Sequence, residues 1–387
     1  MKAACARGRS APMQLEQLRE TIRALVSLRE TADPVISCYL TFDEKVLTHE
    51  RAHEESVESL RRSFTGEAAR LFEEAFRPIE RFLTARVSLD TRGVAVFSRA
   101  GCEPIFVPLQ FHVPLPTWIA ADTLPNVYHL IELKDTYHRY VVLNISENYA
   151  RIIAVNLGSA TLDLMERRPD LRERLCREWS REHFESHRAD RTRRFLRTIV
   201  ETLEKIVSQR GYGHLILAGR PAMTARIKRL LPPLLAAKLV GAVPASGQAS
   251  SSDLVTSTLV QFVKAERSES RQAVLDLERR LHRGGLAVAG PGSSFRALER
   301  GQAETLLLAA NYDQAPVWSC RSCGSERIAR ERPQKCKRCG ASVFSELNPK
   351  EVMIRLAERS GCEIELVQQN GALHRLGGVG CLLRYRL

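Results

Sequence analysis

The sequence predicts an α/β protein of three domains, and three observations carry that reading. The chain has 387 residues, where a domain usually takes about 100–200. Short apolar runs alternate with longer amphipathic stretches along most of its length. The composition is 44% hydrophobic and 27% charged, enough apolar material for packed cores. The expected boundaries are 1–134 for an N-terminal α+β domain, 135–270 for a central domain with a mixed sheet, and 271–387 for an α/β domain carrying a cysteine-rich insertion.

The elements follow in order. Leu15, Leu18, Ile22, Leu25 and Val26 share one face of a helix over 14–30, which the Asp33-Pro34 pair closes. The run from Val35 to Thr41 is a strand. A charged helical region over 48–86 is expected to break near Thr65-Gly66 and again near Pro78. Short strands follow at 93–97 and 104–107. In the central domain, 140–145 and 150–155 form a hairpin across Ser146-Glu147-Asn148. A polar, arginine-rich segment runs over 166–194. A helix then extends to Gln209, with Phe195, Ile199, Leu203 and Ile206 inward and Gly211 behind it. The run from His214 to Gly219 is a buried strand, and a further helix stops at Pro232-Pro233. A soft loop over 246–252 precedes a charged helix over 254–281. The last domain offers a helix after Gly290-Pro291-Gly292, a strand over 304–310, a helix over 349–359 and two closing strands.

Composition excludes several classes. The longest uncharged apolar stretch, 104–121, holds four prolines, so no membrane-spanning helix is expected. The first twelve residues lack the apolar core of a secretory signal. Six of the ten cysteines are scattered singly, which is no disulfide framework in a chain this long. The expected compartment is the reducing cytoplasm. The net charge is +13, with 48 Arg against 10 Lys. A GC-rich genome accounts for such a bias, and so does selection for planar cations that grip phosphate.

The most specific motif is a pair of Cys-x-x-Cys-Gly knuckles, Cys320 to Gly324 and Cys336 to Gly340. Four thiolates at this spacing suit a tetrahedral zinc ion, and a site with all four positions filled is structural rather than catalytic. Between Trp318 and Phe344 seven Lys or Arg stand against two Glu. The ribbon is therefore also a basic knob.

A second basic concentration lies over 166–197. Its sharpest piece, 188–197, sets Arg188, Arg191, Arg193, Arg194 and Arg197 against one acid, Asp190. Helical spacing gathers Arg191, Arg194 and Arg197 into a stripe. Such a stripe suits an RNA backbone, where each neutralised phosphate releases counterions. It equally suits a solvated helix face paired with Glu182, Glu185 and Glu201.

Several segments resemble one known family in consistent order over about 135–387. The ending Leu376-Gly-Gly-Val-Gly-Cys-Leu-Leu-Arg-Tyr385 is similar to the closing strand of archaeal and eukaryotic class-1 peptide release factors and of Pelota. The run from Ser294 to Leu308 resembles their helix–strand stretch, where the archaeal members also insert a four-cysteine ribbon. The run from His214 to Gly219, and Arg194-Phe195 with the helix behind it, resemble their central domain. The N-terminal segment, with Ile36-Ser-Cys-Tyr-Leu, is similar to the bacterial branch. The resemblance implies an RNase H-like mixed sheet in the centre and a ribosomal-protein-like α/β fold at the end.

The departures shape the expected function. Release factors carry a Gly-Gly-Gln loop before the Arg-Phe helix. Here residues 182–192 read Glu-His-Phe-Glu-Ser-His-Arg-Ala-Asp-Arg-Thr, and Gly-Gly-Gln occurs nowhere. Ser246-Gly247-Gln248 lies after the following strand and helix and is a decoy. Pelota and bacterial hibernation factors of the Balon type, which also lack the triplet, occupy the ribosomal A site with a translational GTPase. The resemblance thus implies a non-catalytic ribosome-binding factor of hibernation or stalled-ribosome rescue, a monomer off the ribosome. The alternative is an RNA or peptidyl-tRNA hydrolase with a remodelled loop. Its candidate residues are the carboxylates Asp135, Glu147 and Asp163, as a two-metal site, or His183 and His187. The two histidines lack the Glu that a His-Glu-x-x-His zinc helix needs, since Phe184 occupies that place.

Overall fold

The computed structural model describes residues 13–43, 46–47, 50–88, 90–168, 181–313, 315–368 and 370–385. The chain divides into two compact units. One joins residues 1–136 to 266–387, and the other is the continuous stretch 137–265. Among the described residues no helix is long and apolar enough to cross a membrane.

The first unit begins with helix α1 (Leu15–Ser27), whose predicted apolar face is buried. Strand β1 (Val35–Asp43) is the centre of a five-stranded antiparallel sheet. Strands β2 (Val46–Leu47), β3 (Gly93–Arg99) and β5 (Trp118–Asp122) all pair with it, and β4 (Ile105–Phe111) pairs with β3. Helix α2 (Glu50–Ser63) and helix α3 (Gly66–Ala85) lie between β2 and β3 in the chain. Ile36, Cys38 and Leu40 of the sheet pack with Phe72, Phe76 and Ile79 of α3 in one core. The expected break at Thr65-Gly66 is present, whereas Pro78 sits inside α3 without ending it. The carbonyl that Pro78 leaves without its helical donor belongs to Glu74, an exposed residue of the helix.

Helix α4 (Tyr128–Thr136) closes this segment where no element was expected. Its N-terminus is capped from far along the chain. Both carboxylate oxygens of the buried Glu351 accept backbone N–H groups, from Val127 at 2.8 Å and from Tyr128 at 3.0 Å. At the other end of α4, Lys134 pairs with Glu358, and Asp135 accepts the Leu366 N–H at 3.0 Å.

The central unit holds strands β6 (Tyr140–Ile145), β7 (Tyr149–Asn156), β8 (Ser159–Arg167), β9 (His214–Gly219) and β10 (Leu239–Val243). Their order is β10-β9-β6-β7-β8. The first three run parallel, and β7 and β8 are antiparallel additions to β6. This is the mixed sheet that the sequence predicts. Strand β8 was not expected, because its side chains are mostly polar and half-exposed at a sheet edge. Helices α5 (Arg181–Arg210), α6 (Pro221–Leu230) and α7 (Pro233–Ala237) precede α8 (Ser251–His282). Phe195, Ile199 and Leu203 of α5 cover one sheet face beside Met223 and Ile227 of α6. The other face packs against Leu254, Val255 and Phe262 at the start of α8, with Phe262 stacked on Tyr140 at 4.4 Å. Helix α5 starts at Arg181, thirteen residues before the arginine at which the sequence places it.

The last segment returns to the first unit. Its sheet has the order β11-β17-β12-β16, from β11 (Ala287–Ala289), β12 (Ala303–Ala309), β16 (Glu363–Val367) and β17 (Val379–Leu383). Helices α9 (Pro291–Glu299), α10 (Pro349–Ser360) and the short α11 (Gly371–Arg375) complete it. The glycine-rich ending has a steric reason. Gly377 and Gly378 take φ of +88° and +76°, and a Cβ on Gly380 would meet Leu277 Cδ2 at 2.5 Å.

Candidate functional site

Between β12 and α10 the chain makes a separate three-stranded sheet, β14-β13-β15, from β13 (Val317–Cys320), β14 (Glu326–Ile328) and β15 (Phe344–Leu347). Its base is tied to the domain by Val317, buried with Val352 of α10 and Phe295 of α9. Its far end carries the two predicted knuckles, built alike. The N–H of Gly324 donates to the Cys320 carbonyl at 2.8 Å, and that of Gly340 to the Cys336 carbonyl at 2.9 Å. The glycines take φ of +66° and +76°, a conformation that side-chain-bearing residues rarely adopt.

The knuckles bring Cys320, Cys323, Cys336 and Cys339 together, with one Sγ from each within 4.8 Å of the others. Cys320 and Cys339 stand 3.6 Å apart at sulfur, as do Cys323 and Cys336. A tetrahedral ion with metal–sulfur bonds of about 2.3 Å would set its sulfurs about 3.8 Å apart. Backbone N–H groups of Cys339 and Arg338 favour the thiolate of Cys336 and bring its pKa down to about 6. The donor set and its spacing fit one metal ion.

The predicted RNA-contacting arginines all fall on α5, not on a loop leading into it. Arg193, Arg194 and Arg197 are exposed. Their neighbours Phe195, Leu196, Ile199 and Val200 are buried in the sheet-facing core. Arg191 is half-buried, and the side chain of Arg188 lies outside the described residues. The exposed stripe is therefore 193, 194 and 197 rather than 191, 194 and 197. The helix is anchored here by Arg168, which the sequence gives no reason to single out. Its guanidinium donates to Thr192 Oγ1 at 2.9 Å and to Asn148 Oδ1 at 3.0 Å. The ribbon belongs to one unit and this stripe to the other.

Of the residues proposed for hydrolysis, Asp163 is already committed to other partners. Asp163 is gripped by Arg151 through two hydrogen bonds of 2.7 and 2.6 Å and also accepts Ser251 Oγ at 2.6 Å. That pairing holds its carboxyl below the usual range. Glu147 stands exposed at the β6–β7 turn, and Asp135 belongs to α4 of the other unit. His187 is exposed, and the side chain of His183 lies outside the described residues. Ser246-Gly247-Gln248 follows β10, as expected, and is held in the fold. Asn144 Nδ2 donates to the Ser246 carbonyl at 3.1 Å, and a Cβ on Gly247 would meet Tyr149 Oη at 2.2 Å.

Residues 125–262 match the family described as bacterial archaeo-eukaryotic release factor family 10. Among curated proteins, the chain is 27% identical over 235 residues to peptide chain release factor subunit 1 of Thermococcus onnurineus, covering 54% of this chain and 57% of that one. It is 28% identical over 121 residues to the same factor of Pyrococcus abyssi, covering 27% and 29%. The chain thus spans between about a third and a little over half the length of these relatives. Among solved structures, Archaeoglobus fulgidus Pelota aligns over 97% of this chain and 93% of its own at 14% identity, with a TM-score of 0.38.

Proposed function

We propose that this chain, a member of the archaeal release factor and Pelota superfamily, is a non-catalytic translation factor that binds the ribosome at or near the A site in hibernation or stalled-ribosome rescue. The observation that carries this reading is the release-factor match over 125–262, which takes in all but the last three residues of the central unit, 137–265. The non-catalytic part is supported by the sequence, which contains no Gly-Gly-Gln. It is supported also by Asp163, whose carboxylate is committed to Arg151.

In this reading the exposed Arg193, Arg194 and Arg197 lie against the ribosomal RNA backbone. A planar guanidinium suits phosphate better than an ammonium does, because it offers a fixed fork of donors. Cys320, Cys323, Cys336 and Cys339 hold a structural zinc ion that fixes the two knuckles. The domain bearing the ribbon meets ribosomal protein, RNA or a translational GTPase. The factor is a cytoplasmic monomer when off the ribosome.

The test is co-sedimentation with ribosomes across a salt series. Binding at low salt that falls steeply as salt rises is expected. The variant Arg193→Ala/Arg194→Ala/Arg197→Ala should bind more weakly than one losing three scattered surface arginines. Protein that stays at the top of the gradient at low salt would end the ribosomal reading.

A further inference from the structure

The base of the ribbon, the first turns of α10 and the 122–126 segment enclose a cleft of about 510 Å³, all within one unit. Three guanidiniums line it, Arg321 and Arg332 from the ribbon and Arg355 from α10. Three carboxylates line it too, Asp122, Glu346 and Glu351, so formal charge does not decide its preference. What decides it is which groups are already spent.

Glu351 gives both oxygens to the N-terminus of α4, and Asp122 accepts Asn126 Nδ2 at 2.8 Å, which leaves the exposed Glu346, opposite Trp318 in the β13–β15 register, as the one lining carboxylate set against the three guanidiniums. The arginines are uncommitted by comparison. Arg321 and Arg332 are exposed, and among the described residues no hydrogen bond or ion pair engages either guanidinium. Arg355 has only 10% of its side chain exposed, and its nearest carboxylate oxygen, on Glu326, is 3.9 Å away. That is too long for a hydrogen bond. A buried guanidinium whose donors lack hydrogen-bonded acceptors is costly unless something in the cleft accepts from it.

The aromatic residues narrow the ligand further. Trp318 and Phe344 line the same cleft. The indole N–H of Trp318 is already donated to the Ala329 carbonyl at 3.0 Å, so the ring has only its π-face to offer. Unspent guanidiniums beside aromatic faces are the combination that binds unstacked bases and their phosphates.

We propose that this cleft holds one nucleotide of a single-stranded RNA. The base lies against Trp318 and Phe344, Arg321 and Arg332 take the flanking phosphates, and Arg355 donates from the floor. The proposal shares with the ribosomal reading only the premise that the chain contacts RNA. Its test uses no ribosome, so either can fail alone.

The experiment is fluorescence polarisation of a labelled ten-nucleotide single-stranded RNA with the full chain, purified without chelator. Trp318→Ala should weaken binding about 10-fold, within the range of one lost base–aromatic stack, and Trp318→Phe should restore most of it. Arg321→Ala/Arg332→Ala should flatten the dependence of log K on log salt by about 1.4, about 0.7 for each phosphate released. Lys337→Ala/Arg338→Ala removes the same charge from the ribbon outside the cleft and should change binding less. Three results would overturn the proposal. One is equal weakening by the two double variants. Another is wild-type affinity in Trp318→Ala. The third is competition by a free mononucleotide or a polyglutamate peptide as strong as that of unlabelled RNA.

Discussion

The carboxylate of Glu351 accepts the backbone N–H of Tyr128 at 3.0 Å, across 223 residues of sequence. Its other oxygen accepts the N–H of Val127. A helix start leaves several N–H groups without partners, and these are normally met by a side chain one to three residues away. Here a residue of α10 does that work for α4, and so fastens the N-terminal sheet domain to the ribbon-bearing domain.

Glu351→Ala should therefore destabilise the first unit strongly. It removes the acceptor of two buried backbone donors, at a cost of about 2–3 kcal/mol. For a unit of this size that lowers the melting temperature by roughly 4–10 °C. Glu351→Gln keeps one acceptor oxygen and should lose less. Thermal unfolding followed by circular dichroism separates the two, and equal melting of Glu351→Ala and wild type would contradict the capping role.

The same unit should lose stability as pH rises. Burial, with the charge of Glu365 beside it, pushes Asp135 up to about 8, and burial with Glu269 nearby pushes Glu266 up to about 9. Glu351 is pushed up to about 7, chiefly by burial. Each is a carboxyl whose folded pKa exceeds its unfolded one. Its favourable contribution is complete below about pH 4, the unfolded range, and is lost as pH climbs through the raised value. Urea midpoints measured from pH 6 to 9 should fall, and Asp135→Asn should flatten that fall. An unchanged slope in the variant would remove Asp135 from the account.

Elemental analysis of protein purified without chelator should find one zinc ion per chain. Cys336→Ser should lose it, because three remaining thiolates cannot fill a closed tetrahedral site. Metal removal should unfold the knuckles while leaving the sheet core of the central unit intact. Since ligands must be deprotonated, zinc release on acidification is expected as well. Retention of full zinc by Cys336→Ser would contradict the four-cysteine site.

Asp163→Ala tests the hydrolase alternative from the stability side. It removes the carboxylate from Arg151, whose side chain is only 16% exposed and keeps the Ala249 carbonyl and Ser251 Oγ as acceptors, and should destabilise the central unit by about 1 kcal/mol. RNA or peptidyl-tRNA turnover by the wild type, abolished in a variant whose urea midpoint is unchanged, would instead restore Asp163 as a catalytic candidate.

What the sequence disclosed follows the range of the interactions involved. The ribbon was legible because its four ligands and two glycines fall within 21 consecutive residues at fixed spacing. The β6–β7 hairpin and β9 were legible because each is a short apolar run with turn residues beside it. The start of α5 was not. Residues 181–191 are almost wholly polar, so no apolar period marks them as helix. Strand β8 hid for the related reason that a half-exposed edge strand shows little alternation. Glu351 and the cleft beside it were beyond reach, since their partners are set by tertiary packing and leave no local mark.

The division of the chain also orders its birth. The central unit is continuous, 137–265, so all of it has been synthesised before the second part of the first unit begins to appear. The N-terminal sheet emerges earlier still but lacks its partner, and Tyr128 waits 223 residues for the carboxylate that caps it. Domains that fold as they emerge do so from the N-terminal side. The early half-unit has its own sheet–helix core meanwhile, but a truncation anywhere before α10 leaves α4 without its cap.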